Sequence, residues 1–306
     1  MPPNSAGGAI VVPPATGLAV RAKVGLVRAW PFLPAGLMLA LLFLVPMAVM
    51  VVFSLWRTTP DFDIVPDWTL DNYAYFFNTP TYVRTLLKTL IMAAAVTAAG
   101  IAAAFPFAYF LVRYVSPRWQ RAVLLAVIVP FWTSYLLRAY AWQAILGPKG
   151  ALNQLLTGIG VTDEPSRLFI YDNPGVWLVL VYVYFPFAAL AIYASLEKFD
   201  FTQLNAAQDL GARPDQALLH ILLPQVRPGL ITACIFVFIP ILGEFLTPAL
   251  VGGTEGLLIA NLIVNFFRGL QYTTMAAFCF IIAALVTVLL VIFRRYLQVE
   301  DVVART

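Results

Sequence analysis

Six apolar segments, each long enough to cross a lipid bilayer, dominate the sequence. A membrane-spanning helix needs about 20 consecutive apolar residues, and these segments lack the period-two alternation of a membrane β-barrel strand. Hydrophobic residues fill 61% of the 306 positions and charged residues only 11%, against about 25% charged in a soluble domain. We therefore predict an all-α integral membrane protein. The six predicted spans are Trp30–Trp56, Thr89–Val112, Ala122–Leu146, Gly175–Leu196, Gly229–Leu250 and Tyr272–Phe293.

The segment before the first span is predicted to be a tail and not a cleaved signal peptide. Residues 1–29 are rich in Pro, Ala and Gly, and the apolar run that follows has 27 uncharged residues, which is too long for a signal peptide. We predict a partly disordered cytoplasmic tail over residues 1–29. A membrane domain follows over residues 30–295, and a cytoplasmic C-terminal tail over residues 296–306.

Charged residues are distributed unevenly between the connections, and this predicts the orientation of the chain. Cytoplasmic loops carry an excess of Lys and Arg close to the spans. With the N-terminus inside, twelve of the 19 basic residues lie on the cytoplasmic side, and nine of the 15 acidic residues lie on or towards the outer side. We therefore predict that both termini are cytoplasmic. The twelve basic residues are Arg21, Lys23, Arg28, Arg113, Arg118, Arg121, Lys198, Arg213, Arg227, Arg294, Arg295 and Arg305. The nine acidic residues are Asp61, Asp63, Asp67, Asp71, Asp163, Glu164, Asp172, Glu244 and Glu255.

Prolines lie inside five of the six predicted spans. A proline removes one backbone hydrogen bond and kinks a helix, and membrane helices tolerate this where neighbouring groups satisfy the freed carbonyl. The pattern is consistent with ordinary membrane-helix proline and with a bundle that encloses a cavity or moves. The prolines are Pro34, Pro46, Pro106, Pro130, Pro186 and Pro240.

The fourth connection contains an amphipathic stretch, NAAQDLGARPDQALLHILLP, at residues 205–224. Thr202 suits the N-cap of a short helix, and Gly211 suits the left-handed position that ends it. Pro214 fits the first turn of a second helix, and Pro224 is expected to end that helix. The stretch predicts a helix–glycine–helix unit on the cytoplasmic side. Its residues alone are equally consistent with a helix that lies on the membrane surface.

The same stretch resembles a pattern found in permease subunits of binding-protein-dependent ABC importers. That pattern is Glu-Ala-Ala, three residues, Gly, nine residues, Ile, one residue and Leu-Pro, and only its first position differs here. The matching positions are Asn205, Ala206, Ala207, Gly211, Ile221, Leu223 and Pro224, with Asn205 in place of Glu. Four further segments resemble the spermidine/putrescine-type branch of these permeases, and the resemblance covers roughly residues 30–295. They are PFWTSYLLRAYAW (130–142), GPKGALNQLL (147–156), GEFLTPALVGG (243–253) and LIANLIVNFFRG (258–269).

This resemblance implies a six-helix permease subunit of the bacterial inner membrane. Its loop at residues 200–224 would form a cytoplasmic coupling helix that docks on an ATPase. The implied partners are a second homologous permease, two ATPase subunits, a periplasmic binding protein and the lipid bilayer. ATP and Mg²⁺ would bind to the ATPases and no cofactor to this chain. Because Asn205 carries no charge, we expect weaker docking on this side, or compensation by the partner permease.

The solute implied by the resemblance is a polyamine such as spermidine or putrescine. The same importer class also carries other solutes, such as an amino-acid derivative, an opine or an iron complex, and these remain alternatives. A self-sufficient secondary transporter would be favoured by an inverted repeat and by several charges near the midplane. We find neither feature in the sequence.

Two charges inside predicted spans are candidates for the solute path. Glu244 and Arg138 lie at about the same depth, roughly 22 Å from the inner end at 1.5 Å per residue. The two side chains are expected to pair with each other, or Glu244 faces the cavity and attracts a cation, or they reach towards the interface. Trp132, Tyr135 and Trp142, at helical spacing with Ala139, form either a cation–π surface or a packing stripe near the interface.

Other function classes have little support in the sequence. No GxxxxGK[ST] loop for ATP is present, and no His/Asp/Glu cluster suggests a metal or catalytic site, so we predict that the chain is not an enzyme. Cys234 and Cys279 both lie in apolar runs, where a disulfide or zinc site is not expected. Nucleic-acid binding is not expected either, because the basic residues are scattered.

Overall fold

The structure is a computed structural model that describes residues 33–162 and 169–303. The predicted N-terminal tail, Asp163, Glu164 and Arg305 lie outside the described residues. The chain divides into two compact units, Met1–Val52 and Phe53–Thr306.

The first span is one continuous helix that contains a π-helical turn. It consists of helix α1 (Leu33–Leu39), a π turn (Ala40–Leu44) and α2 (Val45–Ser54). Pro46 follows the π turn directly. Because proline has no N–H and its ring crowds the carbonyl four residues earlier, a wider turn at that point lets the helix continue.

The remaining helices follow in chain order, with one small hairpin. Strands β1 (Arg57–Thr58) and β2 (Ile64–Val65) are antiparallel. The helices are α3 (Asp71–Asn78), α4 (Pro80–Tyr114), α5 (Pro117–Ile128), α6 (Tyr135–Leu146), α7 (Ala151–Gly158), α8 (Asn173–Leu196), α9 (Thr202–Asp209), α10 (Pro214–Ala217), α11 (Leu223–Gln225), α12 (Arg227–Leu242), α13 (Leu246–Val251), α14 (Ile259–Arg268) and α15 (Tyr272–Val303). A 3₁₀ turn, Val129–Trp132, separates α5 from α6, and a second π turn, Leu218–Leu222, separates α10 from α11.

The all-α, six-span prediction is confirmed, with two spans of a different shape from that expected. Among the described residues, four helices are long and apolar enough to cross a membrane, and six are present if each of two bent pairs counts as one span. The long helices are Gly36–Ser54, Pro80–Tyr114, Asn173–Leu196 and Tyr272–Ile292. The bent pairs are Pro117–Trp132 with Tyr135–Gly158, at 91°, and Pro214–Gln225 with Arg227–Leu242, at 68°.

The predicted third span, Ala122–Leu146, is wrong as a continuous helix. The chain becomes extended at Thr133, and Ser134 then starts α6 in a new direction. Pro130 lies in the 3₁₀ turn just before this bend. Pro106 and Pro186, in contrast, lie inside α4 and α8 without ending them.

The predicted fifth span, Gly229–Leu250, is also interrupted. Helix α12 ends at Leu242, and three residues, Gly243 to Phe245, separate it from α13. At 1.5 Å per residue, the 16 residues of α12 extend roughly 24 Å, less than the ≈30 Å hydrocarbon thickness. The C-terminal tail predicted at 296–306 begins as a continuation of α15, which runs to Val303.

The core of the second unit lies where α4, α8 and α12 pack together. Helix α4 contributes a row of buried small residues, including Ala93, Gly100, Ala104 and Ala108. Small side chains let two helix backbones approach closely, which is how membrane helices gain packing energy without a hydrophobic effect. Gly229 on α12 shows how close the approach is, since an added Cβ would lie 2.3 Å from the Cβ atom of Ser195 on α8.

Candidate functional site

The fourth connection, residues 200–226, is a compact helical element between α8 and α12. Its first helix, α9, begins at Thr202, so the prediction of Thr202 as N-cap is wrong by a small shift. The capping group is the Asp200 carboxylate, which accepts hydrogen bonds from the Thr202 backbone N–H at 3.0 Å and from its hydroxyl at 2.8 Å. These bonds favour the ionised form and lower the pKa of Asp200.

Gly211 ends α9 in the left-handed conformation that the sequence predicts, with φ of +93°. The Gly211 N–H donates to the Gln208 carbonyl at 2.9 Å, and the Ala212 N–H donates to the Ala207 carbonyl at 3.0 Å. This pair of bonds is the Schellman motif, which satisfies the last carbonyls of a helix. The turn therefore reverses the chain within a few residues and fixes the angle between α9 and α10.

Pro214 is the first residue of α10, as the sequence predicts. The expectation that Pro224 ends the second helix is wrong, because the helix continues through α11 to Gln225. The π turn just before Pro224 gives its ring room beside the carbonyl of His220. The chain bends only after Gln225, by 68°, where it enters α12.

The fourth connection has a buried side and an exposed apolar side. Leu204, Ala217 and Leu222 are buried in the core. On the other side, Leu210 at the tip of the turn is 90% exposed and Leu219 is 54% exposed. Leu210 and Leu219 therefore leave apolar area on this side of the connection, and burying such area is favourable by about 25 cal/mol per Å².

The motif residues of this connection are distributed between the two sides. Ile221 and Leu223 are half-buried, and Leu223 and Pro224 line a 440 Å³ cleft with Leu219, Arg227 and Leu230. Ala207 is half-buried, whereas Asn205, Ala206 and Gly211 are exposed.

Asn205 contacts the end of α4. Its side-chain oxygen accepts a hydrogen bond from Nη2 of Arg113 at 2.8 Å, and the Arg113 guanidinium also lies 5.3 Å from the centre of the Phe201 ring. Position 113 and the fourth connection therefore lie at the same end of the bundle. Lys88 marks the other end of α4, where its ammonium donates to the carbonyls of Glu255 and Leu257.

Glu244 lies in the break between α12 and α13 and is 9% exposed. One carboxylate oxygen accepts from the backbone N–H groups of Leu246 and Thr247, at 2.9 and 3.1 Å, and the other accepts from the Tyr184 hydroxyl at 3.3 Å. The carboxylate thus caps the start of α13 and satisfies backbone donors that the break leaves free. Tyr135 supports the same segment through a 2.6 Å hydrogen bond to the Thr247 hydroxyl.

Arg138 and Glu244 do not form the expected pair in this structure. Among the described residues, no acidic side chain lies within 4.0 Å of the Arg138 guanidinium. The guanidinium instead stacks 4.3 Å from the Phe131 ring centre and 5.7 Å from that of Tyr135. Its Nε and Nη1 atoms are buried without a hydrogen-bond partner, so cation–π contact is the main stabilising interaction that the structure gives this charge.

The predicted aromatic face is divided by the bend in the third span. Tyr135 and Trp142 lie on α6 and are half-buried, and Trp142 packs 5.2 Å from the Tyr182 ring. Trp132 lies in the 3₁₀ turn before the bend and is 81% exposed. Helical spacing placed these three residues together, whereas the 91° change of direction separates Trp132 from the other two.

A model of the family described as "binding-protein-dependent transport system inner membrane component" matches residues 104–299, which is more than half of the chain. The chain belongs to this family. It is therefore an inner-membrane permease component of a binding-protein-dependent ABC importer, as the motif in the fourth connection predicts.

Individual permeases are similar to this chain in amino-acid sequence. The spermidine/putrescine transport system permease protein PotB of Escherichia coli is 41% identical over 197 residues, which cover 64% of this chain and 70% of the relative. PotB of Haemophilus influenzae is 35% identical over 219 residues, which cover 72% of this chain and 75% of the relative.

Solved structures confirm the permease fold. A bacterial ABC transporter that imports alginate matches with a TM-score of 0.68 and 18% identity, over 91% of this chain and 98% of the other. The alginate transporter in complex with its pentasaccharide-bound periplasmic protein gives a TM-score of 0.70 and 17% identity, over 92% and 99%. At these identities the likeness concerns the fold.

Three residues stabilise these elements through contacts that were not predicted from the sequence. Asp200 carries a local signal, because it lies two residues before the start of α9. Asn261 also acts locally, since its oxygen accepts from the Leu258 N–H at 3.0 Å, but its amide also donates to the Phe245 carbonyl at 2.8 Å and so supports the break after α12. Arg113 meets its partner 92 residues away, and no local pattern predicts that contact.

No group of three or more His, Cys, Asp or Glu side chains that could hold a metal ion occurs in the part of the chain that the structure describes. A cavity of about 610 Å³ lies between α8 and α12 and is lined by Ser195, Lys198, Gly229 and Thr232, among others. It lies near the fourth connection, at the same end of the bundle as Gln225.

Proposed function

We propose that this permease is the transmembrane subunit of an ATP-driven importer for a polyamine such as spermidine or putrescine. Membership of the importer family gives the general activity. The choice of solute is supported by relatives up to 41% identical that are named spermidine/putrescine permeases. The solute crosses the membrane by alternating access, in which the path opens first to one side and then to the other.

Within this proposal, the fourth connection is the coupling loop that docks on an ATPase subunit. The single observation that carries this role is the turn at Gly211, which presents Leu210 with 90% of its surface exposed. Burying such a side chain in a partner's groove stabilises a complex by about 2 kcal/mol. The adjacent cleft beside Leu219 and Pro224 offers a second apolar surface to the same partner.

The proposed assembly contains this chain, a second homologous permease, two ATPase subunits and a periplasmic binding protein. ATP and Mg²⁺ bind in the ATPases. Both termini and the coupling loop lie in the cytoplasm. The orientation is supported by the excess of basic residues in the connections on that side, and by Arg113 lying beside Asn205 at one end of α4 while Lys88 contacts the Glu255 segment at the other.

The interrupted spans support movement of the bundle. The spans that are interrupted at Thr133 and at Gly243 contain irregular backbone, which is tolerated at membrane depth where it is buried in protein or lines a cavity. We propose that the solute path passes along these bends, with the exposed ring of Trp132 and the edge of Tyr135 as its aromatic surface. Arg138 and Trp142 support that surface by stacking on Phe131 and Tyr182.

Glu244 shapes this path and supplies its negative charge from a buried position. Both carboxylate oxygens are already occupied, one by the α13 backbone and one by Tyr184. A buried carboxylate still attracts a cation through the low-dielectric surroundings. The role proposed for Glu244 is therefore to hold the break in place and to act on the solute at a distance.

The proposed function is tested by reconstituting the complete transporter in proteoliposomes with its cognate binding protein. We expect uptake of radiolabelled spermidine or putrescine that requires ATP and the binding protein. Uptake of neither polyamine, together with a binding protein that retains a different solute, would contradict the proposed substrate and leave the importer class intact.

A further inference from the structure

We propose that Arg113 is a positioning residue that joins the coupling loop to α4, and that Asn205 forms this joint by accepting a hydrogen bond from Arg113. The inference rests on the proposed role of the fourth connection as the coupling loop. It concerns how a displacement of that loop reaches the membrane helices.

Two pairs of residues form the joint, and each pair has one member on α4 and one on the coupling loop. Arg113 lies four residues after Tyr109 on α4, and Asn205 lies four residues after Phe201, the residue that precedes α9. Residues four apart lie on the same helix face. Tyr109 packs on Phe201, with ring centres 6.0 Å apart, and Arg113 donates to Asn205 at 2.8 Å.

Arg113 also connects the two pairs, because its guanidinium lies 5.3 Å from the Phe201 ring centre. A guanidinium can stack on an aromatic ring and donate a hydrogen bond from its edge at the same time, whereas a lysine ammonium cannot reproduce this geometry. The Phe199 ring also packs edge-to-face with Phe201, with ring centres 5.1 Å apart. The first turn of α9 is therefore held by a ring contact and a directional hydrogen bond.

Helix α4 is suited to pass on a displacement of this joint. It is a single helix of 35 residues, and Arg113 lies in its last turn. Along its length it packs against α8 and α12 through buried small residues. A force that moves α9 therefore acts on the three helices that form the core, and it does so at a point separate from the covalent links of the loop to α8 and α12.

This contact gives a physical role to Asn205, which stands where the family pattern has Glu. The side-chain oxygen of an asparagine has two acceptor lone pairs, and that of Asn205 already accepts from Arg113. An ATPase at this surface would meet the Asn205 amide donor and the apolar side chain of Leu210. The joint is neutral on the loop side, so its one charge lies on Arg113 at the end of α4.

The test compares Arg113→Gln with Arg118→Gln in the complete transporter. Both variants remove one positive charge from the same end of the protein, but Arg118 is exposed and makes no hydrogen bond or ion pair among the described residues. The measurement is the number of solute molecules imported per ATP hydrolysed. We expect this ratio to fall about five-fold in Arg113→Gln, as for loss of one charge-assisted hydrogen bond, and to stay unchanged in Arg118→Gln.

Exchanging the side chains at positions 113 and 205 provides a second, independent test. Asn205→Arg places two guanidinium groups in the joint, and Arg113→Glu removes the cation that stacks on Phe201, so each should lower the ratio. The double variant restores an opposed pair and should recover most of the wild-type value, whereas Asn205→Asp should retain it. If Arg113→Gln does not assemble, Asn205→Leu removes the acceptor from the loop side alone and is measured in the same way.

The outcomes separate this inference from the proposed docking. Equal ratios for Arg113→Gln, Arg118→Gln and the wild type, with the ATPase still co-purifying, would overturn the joint and leave docking of the loop in place. Failure of the double variant to recover any activity, with both single variants assembled, would also overturn it. If association of the ATPase does not depend on Leu210, the proposed docking of the loop itself is wrong.

Discussion

Replacing Gly211 by valine should uncouple ATP hydrolysis from transport. The residue has φ of +93°, and a Cβ added there meets no other atom within 4 Å. The cost therefore comes from the backbone: a side chain in the left-handed region is disfavoured by about 1–2 kcal/mol, and a β-branched one by more. Leaving this region also breaks the two Schellman hydrogen bonds, each worth about 1 kcal/mol.

Because the wild type also loses both hydrogen bonds in any alternative turn, only the strain of the side chain changes the balance: about 2 kcal/mol for valine lowers the population of the native turn relative to alternative turns roughly 30-fold at 1.4 kcal/mol per factor of ten. Leu210 would then lose its fixed position. We expect Gly211→Val to retain membrane insertion, because no span contains it, but to lower the solute-to-ATP ratio at least ten-fold. The ratio is measured in proteoliposomes, together with co-purification of the ATPase.

Two further variants make the Gly211 experiment specific. Gly211→Asn should be much milder, since asparagine tolerates the left-handed conformation. Gly158→Val is the control for adding a side chain, because a Cβ there also meets nothing within 4 Å and its φ is ordinary. A Gly211→Val transporter with wild-type coupling and wild-type ATPase association would refute the reasoning from the turn to the function.

Three other predictions follow from the described contacts. Glu244→Ala should lower stability in detergent by about 2–4 kcal/mol because two buried N–H groups lose their acceptor. Glu244→Gln should stay folded, and unaltered uptake of a polyamine by it would remove the charge of Glu244 from the proposed path. Gly229→Ala should destabilise the permease by about 1–3 kcal/mol through overpacking against Ser195, seen as a lower melting temperature, and an unchanged melting temperature would contradict the close helix approach. Hydrogen bonding to Arg57 lowers the pKa of Asp71, so this contact stabilises the fold above the ordinary carboxyl pKa of about 4, and the stabilisation is lost as the pH falls through the lowered pKa of the folded state. The melting-temperature difference between wild type and Asp71→Asn should therefore shrink progressively as the pH falls below about 4, and a difference that stays constant on acidification would contradict the pairing.

The long apolar runs were sufficient to predict the spans that are single helices. The run Gly175–Leu196 became α8 close to its expected bounds, whereas α4 begins nine residues before the expected Thr89 and α15 continues ten residues beyond Phe293. The start of α10 at Pro214 and the left-handed Gly211 were also predictable, because each depends on the backbone preference of one residue. These features are determined within a few residues of sequence.

The bends in the third and fifth spans depend on contacts between distant segments. The break at Gly243 is stabilised by Tyr184 through Glu244 and by Asn261 through the Phe245 carbonyl. A hydropathy average along the sequence does not reveal such a break, because Gly243 and Phe245 are uncharged like most residues around them. The sequence also shows Glu244 only as a single charge within a span, because its hydrogen bonds to the α13 backbone depend on the break itself.

The central claim is that Leu210 lies against an ATPase subunit in the working transporter. The direct measurement is photo-cross-linking from a benzoylphenylalanine introduced at position 210, in a complex that still imports its solute. Trp68, also strongly exposed, is the matched control position on the connection between the first and second spans. The account predicts an adduct with the ATPase from position 210 and none from position 68. An active transporter that gives no ATPase adduct from position 210, or gives one equally from position 68, would contradict it.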